Sequence, residues 1–68
     1  MNKIINEANK LYLSLEIGLF FDTYHDIMYE LIDELDCLED DEIEDAKKIL
    51  AKCRAIIKAQ NILLAHKL

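Results

Sequence analysis

Residues 22–50 read DTYHDIMYELIDELDCLEDDEIEDAKKIL, and the fold turns on where this stretch breaks. Advancing 100° per residue gathers Tyr24, Ile27, Met28, Leu31, Ile32, Leu35 and Leu38 on one face. Asp22, Asp26, Glu30, Asp33, Glu34 and Asp36 fall on the opposite face, so the spacing predicts an amphipathic helix over 22–38. The stripe then loses phase. Leu31, Leu35 and Leu38 step by four and three, but the next apolar residue, Ile43, lies five further on. A second stripe starts there and runs through Ala46, Ile49, Leu50, Cys53, Ile56, Ile57, Gln60, Leu63 and Leu64, predicting a helix over 42–66. A short turn is expected near 39–41. Asp41 with Glu44 resembles a capping box, and acids at 39–45 complement the positive end of the following helix.

Upstream, Ile4, Ile5, Ala8, Leu11, Tyr12, Leu15 and Leu19 fall on one arc of a helix expected over about 3–20. A second arc holds Leu13, Ile17, Phe20 and Phe21. Gly18 costs about 1 kcal/mol relative to Ala inside a helix, and Asp22 or Thr23 is a fitting cap for a new one. A bend or break is therefore expected around 18–23, with one long helix over 3–38 as the alternative. The three segments share no motif, so no internal repeat is read.

Composition agrees. The chain has 68 residues, 53% of them apolar and 32% charged, with one Gly and no Pro. One small helical domain over 1–68 fits that length. A disordered tail would be poorer in Leu and Ile, and β-sandwiches spend Gly and Pro on repeated turns. No membrane span is expected, because the longest run without a polar side chain is the five residues Ile17–Phe21. The first ten residues interleave Asn, Lys and Glu with apolar positions, so no signal-peptide core is read and a cytoplasmic location is expected.

The net charge of −6 conceals a segregated layout. Residues 22–45 carry twelve acids and no base, and residues 46–68 carry six bases and no acid. Folding the hairpin about residue 40 brings Asp22 level with Lys58, Asp26 with Arg54 and Asp33 with Lys47. The same register places Cys37 about 15 Å from Cys53, at 1.5 Å per residue, so no disulfide is expected within the chain.

No catalytic, metal or cofactor site is expected. Di-iron bundles repeat Glu-x-x-His on facing helices, whereas Asp22-x-x-His25 occurs once, and His66 stands alone near the C-terminal end of its helix. Cys53 lies on an apolar stripe, where cysteine acts as a small hydrophobe. Cys37 sits among Asp33, Glu34 and Asp36, anions that oppose a reactive thiolate. With no nucleophile, base and orienting group in reach of one another, the chain reads as a non-enzyme.

The remaining signal is surplus apolar surface. A short chain buries only about 60% of the surface its unfolded form exposes, and the first helix offers two apolar arcs where one suffices. The third helix adds Ala51, Ala55, Ala59 and Ile62 on its back. These point to a protein–protein interaction module that dimerises into a larger bundle, with Leu13, Ile17, Phe20, Phe21, Ile62 and Leu64 at the interface. Two alternatives compete with it. The carboxylate stripe Asp22, Asp26, Glu30, Asp33 and Glu34 could imitate a phosphate backbone and inhibit a nucleic-acid-binding protein. A helical hairpin could instead bind RNA through the third helix, with Lys47, Arg54 and Lys58 on one edge of its stripe and Lys48 and Lys52 on the other, although a pI near 4.7 weighs against direct nucleic-acid binding.

Overall fold

A computed structural model describes residues 2–18 and 21–66. The described chain forms α1 (Asn2–Leu13), α2 (Asp22–Asp36) and α3 (Ile43–His66), and each helix packs against the other two. At 1.5 Å per residue α3 is about 36 Å long, against about 18 Å for α1 and about 22 Å for α2. It is the spine of a narrow bundle with extents of 43 × 17 × 14 Å.

The core follows from the apolar stripes. Ala8 and Leu15 from the first segment, Met28 and Leu35 from α2, and Ala46, Ile49, Leu50 and Cys53 from α3 are buried together. Ile4, Ile5, Leu11, Tyr12, Tyr24, Leu31, Ile32, Leu38, Ile56 and Ile57 close around them. Met28, Leu35 and Cys53 are the largest side chains that are fully enclosed. Burying a Leu- or Met-sized side chain is worth about 1.5–3 kcal/mol, so this centre supplies most of what holds three short helices together.

Two contacts fix the topology. Glu7 meets Arg54, and Ser14 with Glu16 meets Gln60. Residue numbers rise together along both elements, so α1 runs parallel to α3. His25, in the first turns of α2, meets Glu16 and Tyr12 at the end of α1, so α2 runs antiparallel to both.

The first helix is shorter than the expected 3–20. It stops at Leu13, where Ser14 turns its hydroxyl back onto the Lys10 carbonyl (2.9 Å). The Ser14 N–H also reaches the Lys10 and Leu11 carbonyls, and the Leu15 N–H reaches that of Tyr12 (3.1 Å), tightening the last turn. A hydroxyl bonded to the carbonyl four residues earlier weakens and bends a helix. Gly18 follows at φ +149°, a conformation open to glycine, and the Phe21 N–H donates to its carbonyl (2.9 Å).

Other boundaries also differ from expectation. Neither Asp22 nor Thr23 caps α2: Phe21 occupies the cap position, without a side-chain hydrogen bond. At α3 the expected Asp41–Glu44 box gives way to Glu42, whose carbonyl accepts from Ala46 N–H (3.1 Å) and whose carboxylate accepts from Glu39 N–H (3.2 Å). α2 ends at Asp36 rather than 38, where the Cys37 N–H donates to Asp33 and Glu34. Both cysteines are free, Cys37 exposed and Cys53 buried.

Candidate interaction surface

The site begins with one polar side chain in an apolar stripe. Gln60 is 2% exposed. Its Oε1 accepts from the Glu16 N–H (2.7 Å), and its Nε2 donates to the Ser14 carbonyl (3.3 Å). A carboxamide satisfies both because it carries an acceptor and a donor side by side. From α2, His25 adds a second tie: its Nε2 sits 3.0 Å from the Glu16 carbonyl. A carbonyl only accepts, so that nitrogen carries the proton. Tyr12 meets the imidazole edge-on, with ring centres 5.4 Å apart. The first stretch of connector after α1 is thus held from both neighbouring helices. In the sequence His25 figures only in the unrepeated Asp22-x-x-His25 spacing, which does not point to this contact.

This latch sets what the end of the bundle presents. Gln60 is level with Ser14 and Glu16, so the last turns of α3 lie beyond the end of α1. Leu13 is 82% exposed, Ile17 is 93% exposed and Ile62 is 50% exposed, with Leu64 partly covered. Leu63, expected on the inner face, joins them in the open. It was missed because apolar periodicity does not report where the neighbouring helices end. Between residues 11–18 and 61–66, Glu16 carries the only formal charge with His66 neutral, on a chain that is 32% charged.

Phe21 does not belong to this surface. It is 6% exposed and packs beside Tyr24, with ring centres 6.1 Å apart. Its aromatic area goes into the chain's own packing at the start of α2, so its place among the interface residues is corrected. Phe20 lies outside the described residues.

Asp22, Asp26, Glu30, Asp33 and Glu34 are all exposed along α2. They do not pair with α3 as the levels suggested. Among the described residues, the one ion pair within 4 Å joins Arg54 Nη2 to Glu7 Oε1 (2.7 Å), so Arg54 faces α1 rather than Asp26. No group of His, Cys, Asp and Glu among the described residues is arranged to hold a metal ion. Burial pushes the Cys53 thiol up from its ordinary value. No described helix is long and apolar enough to cross a membrane. No protein-family model, curated protein or solved structure matches the chain.

Proposed function

We propose that this chain is a non-enzymatic protein–protein interaction module, a small cytoplasmic regulator, inhibitor or adaptor that works as a homodimer. The copies join at the end of the bundle carrying Leu13, Ile17, Ile62 and Leu64. The observation that carries this reading is the near-complete exposure of Leu13 and Ile17, with Ile62 and Leu63 also in the open. Large apolar side chains gathered in water mark interaction surfaces.

Charge favours that end over the sides. Pairing two copies through α2 sets carboxylates against carboxylates. The exposed Ala51 and Ala55 on the back of α3 are flanked by Lys47, Arg54 and Lys58 on one edge and by Lys48 and Lys52 on the other. Packing two such ridges together gathers like charge. At the apolar end two chains of net charge −6 approach with least repulsion. The α3 end of one copy covers Leu13 and Ile17 of the other, and the reciprocal contact closes the dimer. Two unpaired cysteines suit a reducing compartment.

Salt tests the reading. Association through apolar side chains holds or strengthens as ionic strength rises, whereas surface charge contacts weaken. Light scattering across a salt series should therefore show the dimer persisting. If salt dissolves it, and neutralising Asp26, Glu30 and Asp33 does the same, the acidic face of α2 carries the association instead.

A further inference from the structure

Both edges of α3 carry bases, but only one edge is joined by bases from another helix. The Glu7–Arg54 contact sets Lys3, Glu7 and Lys10 of α1 beside Lys47, Arg54 and Lys58 of α3. Lys3 and Lys10 are one helical turn to either side of Glu7 and share its flank. Lys58 is one turn after Arg54, and Lys47 two turns before it. All four lysines are exposed, and the Arg54 side chain is 58% exposed. Because α1 and α3 run parallel, the two rows lie side by side, about 8–10 Å apart between axes and up to about 17 Å long. Five cations and one carboxylate line this seam. None of the acids of α2 belongs to it, because α2 forms the third corner of the bundle; Glu44, on α3 one turn before Lys47, lies at the end of the seam.

We propose that the α1–α3 seam binds duplex DNA through its phosphate backbone. Two cationic rows at this separation straddle a minor groove of about 6 Å and reach the phosphates on both rims. The wider major groove takes an inserted helix, which a seam between two packed helices does not offer. Phosphate contacts position a protein without reading sequence, so binding is indifferent to base order. The net charge of −6 does not oppose this. The bundle measures 17 × 14 Å across its Cα atoms, and the α2 carboxylates point away from the seam. They lie beyond the Debye length of about 8 Å at physiological ionic strength. An acidic α2 face from a second copy is the other surface of matching charge, and the sedimenting mass in the test below distinguishes it from DNA.

Fluorescence anisotropy with a labelled DNA duplex of about two helical turns tests the proposal on the full chain. Five cations less the one that Glu7 neutralises leave four, so the slope of log affinity against log salt should be about −3 to −4. Affinity should fall about 10²-fold between about 50 and 200 mM salt. Lys3→Glu with Lys10→Glu should abolish binding, while Lys48→Glu with Lys52→Glu, on the other edge of α3, should leave most of it. Glu7→Gln should tighten binding, a gain that damage to the fold cannot produce. The proposal is overturned by no binding at the lower salt, by equal loss in both lysine pairs, or by tighter binding to an RNA duplex. It is also overturned if Lys3→Glu with Lys10→Glu lowers the sedimenting mass without DNA, which would give the seam to a second copy.

Discussion

Gln60 shows how much one side chain can decide. On the wheel it is simply a polar intruder in an apolar stripe, and its burial there is legible from the sequence. Its task is not, because the partners are backbone groups of Ser14 and Glu16, more than forty residues away. Replacing Gln60 with Leu leaves a donor and an acceptor unmatched and should cost about 1–2 kcal/mol in urea unfolding. Gln60→Glu separates the two bonds: it keeps an acceptor for Glu16 N–H but turns an oxygen towards the Ser14 carbonyl. It should be no more stable than the Leu variant near neutral pH. Stability equal to wild type in both variants would show that the latch is incidental. Cys53 gives a second prediction at this scale. Burial raises the pKa of the folded thiol above 9.0, so the unfolded chain loses its proton first. Below that pH the thiol is neutral in both states and contributes no slope. Above it the folded state holds the extra proton, and stability falls as pH rises. The fall should be smaller in Cys53→Ala, as thermal melts between neutral pH and pH 9.5 can check.

Among the elements, the helices were readable because period 3.6 leaves clear stripes on α2 and α3, and most residues on them pack inward, with Ile27, Ile43 and Leu63 the exposed exceptions. Their ends were less readable. α1 stops where the Ser14 hydroxyl bonds to Lys10, a competition that apolar periodicity does not report. That early stop moved Phe21 from an outer arc of a long helix to the buried start of α2. Ion pairing was misread for a related reason. Levels along a hairpin say nothing about azimuth, and Arg54 faces Glu7 of α1. Apolar packing and this exposed pair should differ sharply in worth. Leu35→Ala should cost about 2–5 kcal/mol. Glu7→Gln should cost less than about 1 kcal/mol, since both side chains are substantially in water. Denaturant midpoints for the two variants measure the contrast, and similar losses would contradict the division between core and rim.

Across the whole molecule, the bundle sorts its surface into three regions: an acidic side on α2, a basic seam between α1 and α3, and a nearly uncharged apolar end. The first was plain in the sequence. The seam was hidden because residues 1–21 sum to zero charge, and Lys3 and Lys10 gain meaning only once α1 lies parallel to α3. Leu13, Ile17 and Ile62 were expected in the open and are exposed, whereas Leu64, expected with them, is partly covered. Substituting Phe21 with Asp should now unfold the chain rather than merely part a dimer, with loss of helical circular dichroism reporting it.

Sedimentation equilibrium on the wild-type chain and on Leu13→Asp/Ile17→Asp tests the association most directly. The wild type should sediment at twice the 7.9 kDa chain mass. The double variant should sediment as a single chain with its helix content kept, because both positions are already in water. A wild type that stays a single chain at high concentration, or a variant that still pairs, would contradict it.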